Sequence, residues 1–196
     1  MLAFHGIITA YGFWLPNDPR GSWSEFVASW ELYRAGGKAT KVDTTRSVAA
    51  RPHDKAHRLA VKQKLKRQPV SFTGLQARTV GRGFARAVSR SGHRLLACSI
   101  LPEHVHVVVA ADRLKSKAVL GHLKREAALA LKVETLHPFQ DDYPTNAILS
   151  TCWARGCWKV FLDSRQSVLK AIKYVEDNPL KEGKPCQHWS FVVPER

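Results

Sequence analysis

Ile100-Leu101-Pro102-Glu103-His104-Val105-His106-Val107-Val108-Val109 reads as a tight turn running into a β-strand. The proline sets the turn, and the β-branched run that follows favours extended backbone. Side chains on a strand alternate between faces. His104 and His106 therefore point the same way, about 6–7 Å apart along the strand. Val105, Val107 and Val109 point the other way, into a hydrophobic core. Two imidazoles on one face are two ready ligands for a divalent metal, or no more than the polar face of a half-exposed strand.

The neighbouring segments build a sheet around that strand. Arg94-Leu95-Leu96-Ala97-Cys98-Ser99-Ile100 is a short apolar strand, and the tight connection after it predicts a hairpin. Phe4-His5-Gly6-Ile7-Ile8-Thr9-Ala10-Tyr11 reads as a first strand. Trp153 to Leu162 reads as a last one, paired with the first. Helical periodicity marks Gly74 to Ser91, with Val80, Phe84, Ala87 and Val88 on one side. It also marks Lys115 to Val133, whose apolar side is Val119, Leu120, Leu123, Ala127, Leu129 and Ala130. Between Ser24 and Pro69 the pattern is weaker. Gly36-Gly37 and Pro52 are turn signals, and Asp54 to Leu65 has helix-like composition. This region, about residues 24–70, is expected to be a partly helical insertion in a single domain spanning residues 1–196.

Charge points to the partner. Thirty-one Lys and Arg stand against 16 Asp and Glu, a net charge of +15. From Thr44 to Val133 there are 19 basic residues and four acidic ones. So one-sided a balance calls for an anionic partner, nucleic acid first and an anionic membrane surface second. Arg78, Arg82, Arg86 and Arg90 recur every four residues with no acidic residue between them. Like charges at that spacing oppose one another by roughly 0.2–0.5 kcal/mol per pair, which favours a ridge that binds phosphates. Lys115, Lys117, Lys124, Lys170 and Lys173 add positive charge on two helices. Trp14 and Arg20 lie in the Pro- and Gly-broken loop Trp14-Leu15-Pro16-Asn17-Asp18-Pro19-Arg20-Gly21-Ser22-Trp23. That loop either stacks on bases or is pinned to the core by its tryptophans. No apolar run approaches a membrane span, and the N-terminus lacks the charged and apolar regions of a signal peptide. Cys98, Cys152, Cys157 and Cys186 form no Cys-x-x-Cys pair and read as reduced thiols of an intracellular protein.

The last helix, from about Arg165 to Asp177 or Asn178, carries the other chemical signal. Val168, Leu169, Ile172 and Val175 make its buried stripe, which leaves Tyr174 roughly 160° from the stripe's middle. Lys170, Tyr174 and Asn178 share one face at i,i+4 spacing. Pro179 follows, and a residue before proline avoids helical geometry. Asn178 is therefore expected at the frayed helix end, its amide free to turn to a ligand.

Leu-Pro-Glu-His-Val-His-Val-Val-Val (101–109) together with Ala-Ile-Lys-Tyr-Val-Glu-Asp-Asn-Pro-Leu-Lys-Glu-Gly (171–183) resembles the single-tyrosine HUH transposases, and among them the REP-associated tyrosine transposases of bacteria. The likeness covers roughly residues 2–16 and 72–183. It implies an α+β, ferredoxin/RRM-like HUH endonuclease fold: an antiparallel sheet of four to five strands in βαββαβ order, helices mainly on one face, and a C-terminal catalytic helix. It implies an enzyme that cleaves and rejoins single-stranded DNA at hairpin or palindromic ends. Tyr174 would be the nucleophile of a covalent 5′-phosphotyrosine intermediate. Mg²⁺ or Mn²⁺ would be held by His104, His106 and Asn178, the third ligand being the most variable in such sites, with Glu176 and Asp177 as alternatives. It further implies a cytoplasmic, nucleoid-associated protein, monomeric or homodimeric. Glu103 departs from the Asn common beside the first histidine. Two other readings stay open: a domesticated, non-catalytic hairpin-binding protein, and a phosphoesterase using water with Tyr174 structural.

Overall fold

The computed structural model describes residues 1–42, 44, 48–111, 116–141 and 149–193. Along the chain run β1 (Ala3–Thr9), α1 (Trp30–Gly36), α2 (Lys55–Lys62), α3 (Gly74–Ser91), β2 (Leu95–Ile100), β3 (His104–Ala110), α4 (Ser116–Val133), β4 (Trp158–Leu162) and α5 (Arg165–Lys181). They fall into two compact units, Tyr11–Val70 and the remainder.

The larger unit is an antiparallel four-stranded sheet in the order β2-β3-β1-β4. Without α1 and α2 its chain order is βαββαβ followed by a helix, the split βαβ arrangement expected from the sequence. β2 and β3 form the predicted hairpin, and β4 pairs with β1. β4 is shorter than expected: Trp153 makes only an isolated bridge to Ala10, and the ladder begins at Trp158. Gly156 at φ 80° interrupts the segment, a backbone conformation that suits glycine and breaks an extended run.

Both faces of the sheet are covered. Gly6 and Val107 face α4, and a Cβ at Gly6 would lie 2.8 Å from a Leu120 methyl. α3 packs alongside α4 just as closely, since a Cβ on Gly83 would lie 2.5 Å from the Ala127 Cα. α3 starts at a capping box between Thr73 and Gln76 and stops at Gly92, in the left-handed conformation that such an end requires. On the opposite face α5 covers Ala3, Ala97, Val108 and Leu162 with Val168, Ala171, Ile172 and Val175. Strand alternation predicted one core face. The second, under α5, explains why Val108 is as buried as Val107. The tail then closes the β2 edge: the Gln187 side chain accepts from the Ile100 N–H and donates to its carbonyl, both at 2.8 Å, and the Val193 N–H donates to Leu95. An edge so paired offers no template for further strands.

The smaller unit holds the two short helices around Leu15, Leu32 and Val61. Asp54 caps α2 by accepting from the His57 N–H, where the sequence expected a helix to begin. Among the described residues no helix is long and apolar enough to cross a membrane.

Candidate active site

β3 sets His104 and His106 on the α5 face, as alternation requires, with ring centroids 4.9 Å apart. α5 crosses above them. Its buried stripe is not the one predicted: Leu169 is 47% exposed, whereas Ala171, Asn178 and Pro179 join Val168, Ile172 and Val175 against the sheet. The stripe's centre thereby rotates, and Tyr174 stands roughly 100° from it rather than roughly 160°. At that flank the phenol is half-buried and reaches the histidines, its centroid 5.6 Å from that of His106.

The helix does not fray at Asn178. It continues through Pro179 to Lys181. A proline removes one backbone donor and strains one turn, but Asn178 and Pro179 are buried, and that packing holds the turn together. Asn178 is thus fixed in the fold rather than free at an end. Its Nδ2 is buried with no hydrogen-bond partner.

Sequence reasoning missed four contributors. His5, on β1, stacks on His106 with its Nε2 2.9 Å from the His106 Nδ1, and its ring meets Tyr174 edge-on at 5.8 Å. Lys181 holds its ammonium 4.3 Å above the Tyr174 ring. Glu182 brings a carboxylate oxygen to 3.8 Å from the His104 Nε2. Ser99 lies across the ladder from His106 with its hydroxyl buried and unpartnered. His5 and Ser99 left a trace in the sequence, each as a polar residue in an apolar strand, but the contacts of His5 did not. Its partner depends on the β1–β3 register, which no sequence pattern states.

Burial dominates the electrostatics. It lowers the pKa of His5 and of His104 to about 4. His106 goes well below the usual histidine range, by burial first and then by the neighbouring His104, His5 and Lys181. All three are therefore neutral near pH 7, the form that ligates metals. Burial raises the Tyr174 phenol and the Glu182 carboxyl. Among the described residues no three His, Cys, Asp or Glu side chains are arranged to hold a metal ion. Amide oxygens are a further class of donor to hard divalent cations. The Asn178 amide fits: an amide can exchange its N and O by rotation, and its buried end is unsatisfied. Of the alternatives, Asp177 pairs with Lys173 at 3.2 Å and Glu176 is exposed.

The described basic residues of the larger unit lie on both sides of its sheet. α3 lies on the sheet face opposite His104 and His106, so the arginines do not line this site. Arg82 pairs with Glu134 and Arg90 with Glu126, both carboxylates of the α4 side. Those carboxylates lie more than thirty residues away in the chain, beyond any local pattern. Arg86 is half-buried, its Nε and one terminal nitrogen without partners, and Arg78 is exposed. Lys124 is committed to the Ala154 and Gly156 carbonyls. Lys117, Lys170 and Lys173 are exposed, and Lys115 lies outside the described residues. In the smaller unit Arg20 is 8% exposed, locked to Asp18 by two side-chain bonds and stacked 3.9 Å over Trp14, whose indole N–H donates to Gly21. That pair holds its own loop together, while Trp23, the segment's other tryptophan, is 46% exposed.

No protein-family model and no curated protein sequence matches the chain. Among solved structures it is similar to a REP-associated tyrosine transposase bound to a REP hairpin, at 10% sequence identity. The match covers 93% of this chain and 68% of that one, with a TM-score of 0.48. The residues of the site, rather than this likeness, carry the functional reading.

Proposed function

We propose that this protein cleaves and rejoins single-stranded DNA through a covalent bond to Tyr174. The observation that supports it is the convergence of a solvent-reachable phenol and two neutral histidines over one patch of sheet, with an unsatisfied buried amide one helical turn along from the phenol. The nucleophile is half-exposed, while the groups beneath it are held rigidly by packing.

In this reading the Tyr174 oxygen attacks the scissile phosphorus, the bond to the 3′ oxygen breaks, and a 5′-phosphotyrosine and a free 3′-hydroxyl result. The phenolic proton ends on the departing 3′ oxygen, so the exchange is balanced without a further reactant. Reversal by the same or another 3′-hydroxyl rejoins strands and conserves the phosphoester bond. Burial alone disfavours the phenolate, and the Lys181 ammonium over the ring offsets this by favouring negative charge there. His104, His106 and Asn178 would hold Mg²⁺ or Mn²⁺, which supplies Lewis-acid polarisation of the phosphate when bound. Exposed Lys170 and Lys173, on the same helix as Tyr174, are suited to hold the backbone of the strand. The substrate proposed is a DNA hairpin or palindromic end, in keeping with the sequence resemblance.

The test is a 3′-labelled hairpin oligonucleotide incubated with the protein and Mn²⁺. An SDS-resistant labelled adduct is expected, and it should be absent from Tyr174→Phe. Cleavage that survives Tyr174→Phe would instead mean water is the nucleophile. Hairpin binding with no cleavage would mean a binding protein that has lost catalysis.

A further inference from the structure

The geometry points to His5 as the positioning residue of the metal ligand His106: it accepts the His106 Nδ1 proton and so leaves the His106 Nε2 lone pair aimed at the cation. The inference rests on the metal reading above and assigns a role to a residue that reading does not use.

The argument starts from register. β1 and β3 pair so that Ile7 lies opposite His106 and His5 opposite Val108. His5 is then the diagonal neighbour of His106 on the α5 face, within reach for a long side chain. The rings stack with centroids 5.1 Å apart and planes 29° from parallel, and the His5 Nε2 and His106 Nδ1 are 2.9 Å apart. Between two neutral imidazoles one nitrogen must donate and the other accept. If His5 donated, His106 would carry its proton on Nε2 and could offer the cation no lone pair there. If His106 donates, Nδ1 is occupied and Nε2 is free to ligate. A ligating imidazole is generally held by an acceptor on its other nitrogen, and loss of that acceptor typically weakens metal binding 10–100-fold. The acceptor is commonly a carboxylate or carbonyl, and here an imidazole takes that place. His5 is not itself the third ligand through Nε2, because that nitrogen is engaged by His106.

Two readouts test this. Long-range ¹H–¹⁵N correlation spectra of the metal-free protein near pH 7 report which nitrogen of His106 carries its proton. Mn²⁺ titration followed by electron paramagnetic resonance reports affinity. The wild type should show His106 protonated at Nδ1. His5→Phe keeps the ring but removes the acceptor. It should shift His106 toward the Nε2-protonated form and weaken Mn²⁺ binding about tenfold or more. His5→Gln, whose amide oxygen can stand near the Nε2 position, should recover much of both. A wild-type His106 protonated at Nε2 overturns the proposal, as does unchanged Mn²⁺ affinity in a folded His5→Phe. Either result leaves the metal reading standing if the wild type binds Mn²⁺. A wild type that binds no Mn²⁺ overturns both.

Discussion

Arg82 and Arg90 on one side of the sheet, and His104 and His106 on the other, stand out equally in the sequence, yet the fold treats them differently. On the α3/α4 side these two guanidiniums meet Glu134 and Glu126 and are answered within the chain, while Arg86 keeps two nitrogens without hydrogen-bond partners. On the α5 side the histidines are buried as neutral rings, Asn178 and Ser99 keep unsatisfied polar atoms, and Tyr174 remains reachable. Buried polar groups are normally paired, and those left unpaired need another explanation, such as a bound ion or a catalytic role. The contrast shows that a conspicuous charge pattern and a chemically available site are separate properties.

The contrast breaks most sharply at Tyr174. Tyr174→Phe should lower covalent adduct formation by about three orders of magnitude or more, with the unfolding midpoint nearly unchanged because the phenol is 39% exposed. A large loss of stability instead would make Tyr174 a structural residue. On the other side of the sheet, Gly83→Ala should act on stability before function. Its added methyl meets the Ala127 backbone, which cannot swing aside, and roughly 1–3 kcal/mol or more of destabilisation is expected in denaturant titrations. A neutral result would mean that α3 and α4 separate easily.

Acid should act chiefly through the α5 side. His5 and His104 have folded pKa values of about 4 against an ordinary 6.5. Between those values the unfolded chain binds more protons than the folded one, so stability rises with pH across the window. Lowering the pH from 6.5 to 4 should then cost on the order of a few kcal/mol, and His5→Gln should flatten the slope. An unfolding free energy independent of pH in that range would place these rings in water. The smallest effect separates the arginines from one another. If Arg78 contacts a phosphate, Arg78→Ala should reduce the salt slope of hairpin binding by about one unit. Arg82→Ala should reduce it less, because Glu134 already holds that guanidinium. Equal slopes would restore the arginines as one phosphate-binding ridge.

Much of the architecture was legible because it follows from local periodicity. The two-residue alternation of 104–109, the helical repeat and glycine stop of 74–91, and the turn at Pro102 each reflect backbone geometry that neighbours in sequence impose on one another. The site was half legible for the same reason. His104 and His106 share a face by strand geometry, and Tyr174 and Asn178 by helix geometry. Pro179 does not stop the helix, because burial of Asn178 and Pro179 outweighs the lost backbone bond.

By itself, then, the sequence determined the elements, the pairing of β2 with β3 and the side of each element on which its reactive residues lie. Only tertiary structure decided what those sides meet. The register of β1 on β3 brought His5 to His106, and the roll of α5 brought Tyr174 over both. The packing of α3 on α4 put carboxylates beside two of the four arginines. Each outcome depends on side chains tens of residues apart sharing one volume, and no local pattern encodes which will do so.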